Sequence, residues 1–390
     1  MIRFLTAGES HGPELTAIVE GIPAGLPLDV SAINQELARR QKGYGSGGRM
    51  RIEHDTVRIS AGAMGGKTTG APLALHIPNR DFKNWHDKEI PPMTIPRPGH
   101  ADLTGAIKYG YTDLRLALER ASARETALRV AVGAITKQFL AQLGIQTGGY
   151  VVQIGRVTAG MDPNLPFTNR FHLAEKNTVR CPDESVVKAM ENEIRAVKKA
   201  GDTVGGIIEV VALNVPPGIG SYVQWDRRLE GMIAQAMLSI PAMKGVEIGP
   251  GFENAGKWGS DVHDAILLKP NQHLGRKTNR AGGVEGGIST GEPLLVRVAM
   301  KPIATVLKGF DSVDLATGLP AKTVYERSDF CAVPRAVPIV EAMLAIVLTN
   351  ALLEKLGGDS MAEIKPRFEA LRRAYVPDLP MDNVPWRFDY

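Results

Sequence analysis

Two histidines lie in similar turn-rich segments, and their residue type suits acid–base chemistry. His11 lies within residues 8–13, Gly-Glu-Ser-His-Gly-Pro, and His100 lies within residues 97–102, Arg-Pro-Gly-His-Ala-Asp. Neither belongs to an apolar periodic run, so each segment can present an imidazole to a ligand from a loop. An imidazole changes its charge near neutral pH, which suits it to proton transfer. On the residues alone, a purely structural role for both histidines competes with catalysis.

Arginines occur in similar segments of the same part of the chain. Guanidinium groups bind phosphates and carboxylates through paired hydrogen bonds. Two loop histidines with several loop arginines therefore indicate acid–base chemistry on a phosphorylated or carboxylated small molecule. The arginines are Arg40, Arg49, Arg97, Arg120 and Arg124.

Two glycine-rich segments are further candidates for ligand contact. Residues 42–50 contain four glycines flanked by Arg40 and Arg49, so backbone amides and guanidinium groups could hold an anion there. A flexible surface hairpin with solvated arginines explains the same residues equally well. Residues 281–287, Ala-Gly-Gly-Val-Glu-Gly-Gly, do not have the glycine spacing of a dinucleotide-binding loop. A close backbone approach to a flat or phosphorylated ligand is the alternative for this second segment.

Two charged segments have a simpler interpretation when they are taken alone. Arg120 and Arg124 share one face if a single helix runs through both, and an exposed ion-pair face with Glu125 is then expected. The alternative is a helix that begins near Ser122, whose amides together with an arginine would suit a phosphate. Residues 325–330, Tyr-Glu-Arg-Ser-Asp-Phe, indicate a salt-bridged surface loop.

The composition is that of a soluble globular protein. The 390 residues are 44% apolar and 23% charged, and the formal net charge of +4 favours anionic substrates without indicating nucleic acid. Cys181, Cys331 and the other six histidines have no metal-ligand spacing, so we expect no metal site. Neither a signal peptide nor a run of eighteen apolar residues is present, so we expect a cytoplasmic protein without a membrane span.

Strands and helices without strict βαβ alternation predict an α+β fold. Ser31 is a plausible cap for a first helix around Ile33 and Leu37, Pro338 is expected to open a strongly apolar helix, and Ser360 has capping-box spacing to Glu363. Strands are expected at 16–20, 56–61, 73–77, 206–213, 264–268 and 294–300, and further helices at 103–119, 123–143, 183–200 and 226–239.

These segments taken together resemble the chorismate synthase family. The resemblance covers nearly the whole chain, and eight blocks occur in the family's order. It implies a β-α-β sandwich of antiparallel sheets with helices, in one domain over residues 1–374 with an extended C-terminal tail over 375–390. The blocks are residues 8–13, 39–49, 97–102, 119–126, 244–249, 278–287, 301–305 and 327–329.

The resemblance implies a carbon–oxygen lyase of the shikimate pathway, which serves aromatic amino acid biosynthesis. Such an enzyme converts 5-enolpyruvylshikimate 3-phosphate to chorismate and phosphate by an anti 1,4-elimination that requires reduced FMN without net redox change. The site must therefore hold flavin and substrate face to face and neutralise their negative charge. The family usually forms homotetramers. Members that use NADPH to reduce their own flavin and members that depend on a separate flavin reductase share these motifs.

Transferred residue by residue, the resemblance implies three catalytic residues. His11 would protonate or hydrogen-bond the departing phosphate, and His100 would supply a proton or positive charge at the pyrimidine ring of the reduced flavin. Asp329 would lie near the central flavin ring and help to relay the substrate hydrogen. The phosphate and carboxylates of the substrate would contact Ser10, Arg40, Ser46, Arg49, Arg97, Arg124 and Arg327.

The resemblance also implies a set of FMN contacts, with two departures from the family pattern. The family often has arginine where this chain has Ser46, so one anion contact is absent or replaced. An amide side chain is usual where Pro241 stands, which removes a side-chain hydrogen bond to flavin. The implied contacts are Arg120, Ala121, Ser122, Pro241, Ala242, Gly286, Lys301, Pro302, Ile303, Ala304, Thr305 and Arg327.

Two other functions compete with this interpretation. A flavin-dependent oxidoreductase acting on an anionic small molecule would share these loops, but it would need a nicotinamide site that the sequence does not display. A nucleic-acid-binding protein would need aromatic residues interleaved with a basic patch. Tryptophan and phenylalanine are too few near the arginine-rich segments to favour it.

Overall fold

The computed structural model describes residues 1–46, 54–326 and 328–389, and its strands form two large antiparallel sheets with four small hairpins. The described strands are β1 (Arg3–Ala7), β2 (Glu14–Glu20), β3 (Arg58–Ala61), β4 (Ala63–Met64), β5 (Lys67–Thr68), β6 (Leu73–Pro78), β7 (Gln146–Ile154), β8 (Val157–Thr158), β9 (Gly206–Leu213), β10 (Met243–Ile248), β11 (Ile266–Lys269), β12 (His273–Arg276), β13 (Val284–Glu285), β14 (Ile288–Ser289), β15 (Leu294–Met300), β16 (Asp311–Asp314) and β17 (Leu319–Lys322).

Helices occupy the space between the two sheets and cover part of the outside. The described α-helices are α1 (Val30–Gln41), α2 (Asp102–Tyr109), α3 (Arg115–Ala121), α4 (Thr126–Gln142), α5 (Phe167–Glu175), α6 (Glu184–Lys199), α7 (Leu229–Leu238), α8 (Gly251–Asn254), α9 (Gly259–Val262), α10 (Val333–Leu356) and α11 (Met361–Glu369). Short 3₁₀ segments lie at Arg80–Asn84, Ala123–Glu125, Trp225–Arg227, Pro270–Gln272 and Val376–Asp378.

The first sheet has the strand order β1-β2-β6-β3, and all of its pairs are antiparallel. Leu15, Ala17 and Val19 alternate along β2 and are buried, as are Leu73, Leu75 and Ile77 along β6. Alternate side chains of a strand point to one face, so this pattern presents one apolar face to the helices. The sheet therefore has a covered side and a side open to solvent.

The second sheet has the strand order β10-β15-β9-β7-β8 and is covered on both faces in its centre. Its middle strands β7 and β9 are buried along five consecutive residues each. The helix α10 contacts both strands from one side, and α5 contacts β7 from the other. Gly148 permits the second contact, because a Cβ there would lie 2.5 Å from a ring atom of Phe171.

The central helix α10 is buried around nearly its whole circumference, since it packs against β7, β9, α1, α4 and α7. It is long and apolar enough to cross a membrane, but 94% of its most apolar window is buried inside the protein. The crossing with α4 is close because Gly133 faces Ala342, and a Cβ on Gly133 would lie 2.2 Å from the Ala342 Cβ. A helix hydrophobic all round is accommodated here by neighbours on every side.

The α+β class with antiparallel sheets and helices is confirmed. Helix α4 contacts β2 and β6 of the first sheet and β7 of the second, so it lies between the two sheets, and α1 and α10 pack against it. The expected helix 103–119 is wrong as a single element. It divides into α2 and α3 because Gly110 ends the first in a left-handed conformation, at φ 68°, and the Asp113 carboxylate accepts from the Arg115 amide at the start of the second.

Two expected helix starts are also wrong. Asp29, two residues before Ser31, caps α1 by accepting from the Ser31 and Ala32 amides. Helix α10 begins at Val333, and Pro338 lies inside it. In a regular helix the amide of residue 338 would donate to the Pro334 carbonyl, but proline has no amide hydrogen. The Pro334 carbonyl accepts instead from Arg180 Nη1 at 2.5 Å.

The remaining elements differ from expectation mainly at their ends. Helix α7 begins at Leu229 rather than 226, and β11 begins two residues later and ends one residue later than the strand expected at 264–268. The capping box of Ser360 with Glu363 is confirmed at the start of α11, and Pro366 lies within that helix. Beyond the 3₁₀ turn at Val376–Asp378, residues 379–389 have no regular secondary structure. The division into one domain and a tail stays a prediction.

Candidate active site

A cavity of about 300 Å³ opens where loops from several elements meet at one end of the helix layer. It lies beside the first turns of α10, the last turn of α1, the break between α3 and α4, and the segment that follows β15. The residues lining it include Ser10, His11, Arg40, Trp85, Arg97, His100, Ala121, Ser122, Arg124, Pro241, Ala242, Lys301, Pro302, Ile303, Ala304, Thr305, Asp329 and Arg335.

The break between α3 and α4 forms one wall of this cavity. Ser122 adopts an extended conformation, with φ −62° and ψ 140°, so no continuous helix joins Arg120 to Arg124. The Ser122 hydroxyl accepts from the Arg124 amide and donates to Ser10 Oγ at 3.0 Å. The expected alternative of a helix start near Ser122 is therefore correct, and Glu125 pairs with Arg129 rather than with either arginine.

Two buried arginines share one buried carboxylate at the inner end of the cavity. Arg124 Nη1 lies 2.6 Å from Asp55 Oδ1, and Arg40 Nη1 lies 3.5 Å from Asp55 Oδ2. Arg40 also donates to Thr126 Oγ1 and to the Ala123 carbonyl. Burial, together with the neighbouring charges of Arg335 and Arg124, outweighs the attraction of Asp55 and lowers the pKa of Arg40 to about 9. Positive charge is therefore crowded here, which favours an anionic ligand.

Asp329 is held by an arginine from the first turn of α10. Arg335 Nη1 lies 2.5 Å from Asp329 Oδ2, and Arg335 Nε donates to the Arg40 carbonyl at 3.1 Å. The side chains of Asp329 and Arg335 are 16% and 11% exposed. The segment 325–330 was expected to be a salt-bridged surface loop. Its Asp329 does form a salt bridge, but the partner is Arg335 of α10 and both side chains line the cavity.

Each of the two candidate histidines is paired with a carboxylate through Nδ1. His11 Nδ1 lies 2.7 Å from Glu119 Oε1, and His100 Nδ1 lies 2.5 Å from Asp102 Oδ1. A carboxylate that accepts from Nδ1–H fixes the tautomer of a neutral imidazole and assigns proton exchange with a ligand to Nε2.

Asp102 also organises the segment that carries His100. Its carboxylate accepts from the Arg97 amide and from Arg97 Nε and Nη2, while Arg97 Nη1 donates to Thr305 Oγ1. Burial alone would raise the pKa of Asp102, but hydrogen bonds from Arg97 and His100 outweigh it and hold the pKa well below its usual range. Asp102 is therefore ionised and keeps Arg97 and His100 together at neutral pH.

The segment after β15 forms the opposite wall. Lys301 donates its amide to the Ala242 carbonyl at 2.9 Å and its ammonium group to the Gly99 carbonyl at 2.5 Å. Ala242 has φ 69°, a left-handed conformation that is uncommon for a residue with a Cβ. These contacts join the 240–242 and 300–305 segments to the loop of His100.

Comparison with known proteins decides the family. The chorismate synthase family model matches residues 2–353. The chain belongs to the chorismate synthase family. Chorismate synthase from Aquifex aeolicus is 54% identical over 384 residues, covering 94% of this chain and 96% of the relative. Chorismate synthase from Thermus thermophilus is 54% identical over 387 residues, covering 96% of this chain and all of the relative.

A solved structure agrees with this assignment. A chain described as a crystal structure of chorismate synthase is 48% identical to this chain and superposes with a TM-score of 0.79. It covers 94% of this chain, and this chain covers 96% of it. The family resemblance and the fold class expected from the sequence are thereby confirmed.

Most residues that the chorismate synthase resemblance selected lie at one cavity, and a few do not. Ser46 lies outside the cavity lining and donates to the Gly43 carbonyl. Arg120 is exposed and donates to the Thr6 carbonyl and hydroxyl, and Gly286 forms the two-residue turn between β13 and β14 with Gly287. The single chain does not bring these three to the cavity. Arg49 and Arg327 lie outside the described residues.

The glycine-rich segment at 42–50 is only partly described. In the described part, Gly45 accepts from the Phe330 amide, and a Cβ there would lie 3.0 Å from the Cys331 Cβ. These glycines therefore allow close packing against the start of α10. The anion-binding alternative for residues 47–50 falls outside the described part of the chain.

Sequence reasoning missed several residues that organise the site. Asp55, Glu119 and Arg335 form ion pairs with side chains that were predicted to bind the substrate or to act in catalysis. Trp85 lines the cavity, and its ring centroid lies 4.0 Å from that of His11. Glu119 lies inside a block that carried the family resemblance, so its sequence position was available as a signal. The other three stand in segments with no local pattern of their own.

Proposed function

We propose that this chain catalyses the anti 1,4-elimination of phosphate from 5-enolpyruvylshikimate 3-phosphate to give chorismate, with reduced FMN and no net redox change. The observation that carries the proposal is the convergence of His11, His100 and Asp329 with buried arginines on one cavity in a member of this family. The reaction needs groups that transfer protons, because a phosphate must leave, and it needs arginines, because clustered negative charge must be neutralised.

The lining fits a flavin as well as an anionic substrate. Ala242, Pro302 and Ala304 give small apolar surfaces that a flat ring can approach, while Arg97 and Lys301 supply cations nearby. The 301–305 segment, which includes Lys301, would hold FMN together with Ala121 and Ser122. When bound, reduced FMN supplies electron density to the substrate ring and receives the ring hydrogen.

The buried arginines bind and orient the substrate in this proposal. Arg40 and Arg124 bring two guanidinium groups to one side of the cavity, and such groups bind a phosphate or a carboxylate. Their rigid hydrogen bonds keep the guanidinium planes fixed before the ligand arrives, which reduces the reorganisation needed on binding. Arg49 and Arg327 are assigned to the same task from the family resemblance.

The two histidines carry protons in this proposal. His11 protonates or hydrogen-bonds the departing phosphate through Nε2, because its Nδ1 is engaged by Glu119. His100 supplies a proton or positive charge at the pyrimidine ring of the reduced flavin, and Asp102 is paired with its Nδ1. Asp329, oriented by Arg335, helps to relay the substrate hydrogen.

We also propose that the enzyme works in the cytoplasm as a homotetramer, with NADPH as the source of reducing equivalents through its own activity or a separate flavin reductase. Exposed apolar side chains support the assembly, because large exposed apolar patches mark interaction surfaces. The strand β11 presents Ile266, Leu267 and Leu268 with exposed fractions of 66%, 42% and 68%.

Purified protein under nitrogen with pre-reduced FMN and no NADPH tests the activity. We expect many turnovers of chorismate per FMN without consumption of reductant, because the elimination has no net redox change. Consumption of two reducing equivalents for each product molecule would instead favour the flavin-dependent oxidoreductase. The absence of any chorismate would refute the proposal.

A further inference from the structure

Glu119 holds the His11 segment through three hydrogen bonds. Its Oε2 accepts from the His11 amide at 2.8 Å, its Oε1 lies 2.7 Å from His11 Nδ1, and its backbone carbonyl accepts from the Ser10 amide at 3.1 Å. One side chain at the end of α3 therefore fixes both the backbone and the ring of His11. The side chains of Glu119 and His11 are 14% and 15% exposed, so water competes little for these hydrogen bonds.

A second contact restricts the same ring from another side. The Trp85 ring lies 4.0 Å from the His11 ring, centroid to centroid, at an interplanar angle of 39°. Trp85 Nε1 donates to Asp81 Oδ2, and the Arg115 guanidinium lies 5.8 Å from the Trp85 ring centroid. Arg115 and Glu119 are one turn apart on α3, so this helix supports the ring through Glu119 and supports Trp85 through Arg115.

We propose that Glu119 is a positioning residue for His11, which keeps the neutral imidazole as the Nδ1–H tautomer and directs proton transfer to Nε2. The inference deepens the proposed function and rests on it. A carboxylate accepts hydrogen bonds and donates none, so both N–H groups that face Glu119 are satisfied only when Nδ1 carries a proton. Without that constraint, either ring nitrogen could hold the proton of the neutral form.

The charge state of Glu119 agrees with this role. Burial alone would raise the pKa of Glu119, but the hydrogen bond and charge of His11 and its amide outweigh burial and lower that pKa. Glu119 is therefore ionised at neutral pH, as an acceptor of two N–H groups must be. Because Glu119 engages Nδ1, Nε2 is the ring nitrogen that would exchange a proton with a departing phosphate.

The variant Glu119→Gln tests the tautomer directly. A glutamine offers one side-chain oxygen in place of two, so either the His11 amide or Nδ1 loses its acceptor, and an NH₂ group facing Nδ1 favours the Nε2–H tautomer. Two-dimensional ¹⁵N–¹H NMR of the histidine rings, with His11 assigned from the missing signals of His11→Gln, reports which nitrogen carries the proton. We expect Nδ1–H in the wild type and Nε2–H or a mixture in Glu119→Gln.

Kinetics with pre-reduced FMN under nitrogen give the second readout. We expect Glu119→Gln to lower kcat on the order of a hundredfold, the scale of lost acid–base assistance, with KM changed much less. Glu119→Asp keeps both oxygens and should recover part of kcat and the Nδ1–H tautomer. Glu125→Gln is the matched control, since Glu125 bonds Arg129 and Thr6 outside the cavity lining and should leave the tautomer and kcat unchanged.

The outcomes separate this inference from the proposed function. The positioning role is overturned if His11 of the wild type is in the Nε2–H form, a result that needs no folded variant. It is also overturned if Glu119→Gln keeps both the wild-type tautomer and the wild-type kcat. The NMR measurement needs no turnover, so a wild type that forms no chorismate would refute the function while the tautomer still tests the role of Glu119.

Discussion

Arg39 and Arg40 are neighbours on α1, and they enter two ionic clusters that are built differently. Arg39 joins the core network, in which three cations face three carboxylates: Arg39, Lys137 and Arg180 with Glu36, Glu175 and Glu341. Arg40 joins the cavity cluster, whose described ion pairs link Arg40, Arg97, Arg124 and Arg335 with Asp55, Asp102 and Asp329.

The two neighbouring arginines have pKa values that move in opposite directions. Burial opposes the charge of Arg39, but Glu341 and Glu36 outweigh burial and raise its pKa. Burial also opposes the charge of Arg40, and there the nearby Arg335 and Arg124 add to it and lower the pKa to about 9. Carboxylates therefore dominate the surroundings of Arg39, whereas burial and neighbouring guanidinium groups dominate those of Arg40, which favours an anionic ligand beside Arg40.

Removing the buried carboxylate of the core network should give the largest effect on stability. Glu341 is 1% exposed and accepts from both Arg39 and Lys137. Glu341→Ala leaves two buried cations short of their partner, and breaking a buried pair in this way costs about 3–5 kcal/mol. Urea unfolding monitored by circular dichroism measures the loss in the free energy of unfolding.

Glu175→Ala is the control, because Glu175 bonds the same Arg39 but its side chain is 38% exposed. Its second partner, the buried Arg180, keeps hydrogen bonds to three backbone carbonyls when Glu175 is removed. Exposed ion pairs contribute about 0–1 kcal/mol, so its loss should be small. Equal losses in the two variants would mean that burial does not distinguish these carboxylates, and the description of a matched buried network would be wrong.

Binding of a simple anion should raise stability through the cavity cluster. A ligand that binds only the folded state at a hundred times its Kd raises the free energy of unfolding by about 2.7 kcal/mol. We expect inorganic phosphate to stabilise the wild type in this way and to lose most of the effect in Arg124→Met. Thermal unfolding over a phosphate titration measures the increment.

The control for the phosphate titration is Lys308→Met, which removes an exposed cation paired with Asp202. It should retain the wild-type increment, since its side chain is 53% exposed and lies outside the cavity lining in the described chain. The same increment in Arg124→Met as in the wild type would show that phosphate binds elsewhere.

The sequence predicted the fold best where one face of an element is buried. Alternation along β2 and β6 and the stripe of Met190 and Ile194 on α6 have the periods of half-buried elements. The strand β7 was not predicted, although its neighbour β9, which is buried along an equally long run, was. The difference is that β7 carries Gly148 and Gly149, and these glycines serve contacts with α5 and β9 that the local sequence does not show.

The site was predictable where a motif is local and was missed where partners come from distant segments. His100, Arg97 and Asp102 lie within six residues, although only the first two were assigned roles. Asp55 contacts Arg124 across 69 residues of sequence, and Glu119 contacts His11 across 108. Long-range pairs of this kind depend on the sheets and on the break at Ser122, so no spacing rule along the chain reveals them.

The acid dependence of stability should distinguish Glu341 from Glu175, two of the three carboxylates of the core network, by a smaller difference than the alanine variants do. Burial would raise the pKa of Glu341, but Arg39 and Lys137 outweigh burial and lower it. A carboxyl group whose folded-state pKa is lowered contributes its stability above the unfolded pKa of about 4.3, and that stability is lost as the pH falls towards the folded value.

Glu341→Gln removes this proton uptake, so its free energy of unfolding should fall less steeply with acid than that of the wild type. The difference is at most about 1.4 kcal/mol per pH unit, the value for one proton. Glu175, whose pKa is also lowered against burial by Arg39, is more exposed, and Glu175→Gln should flatten the slope less. Urea titrations at a series of pH values from about 5 downward measure both slopes. If Glu341→Gln keeps the wild-type slope, Glu341 takes up its proton equally in the folded and unfolded chains, and the core network is not the acid-sensitive part of the fold.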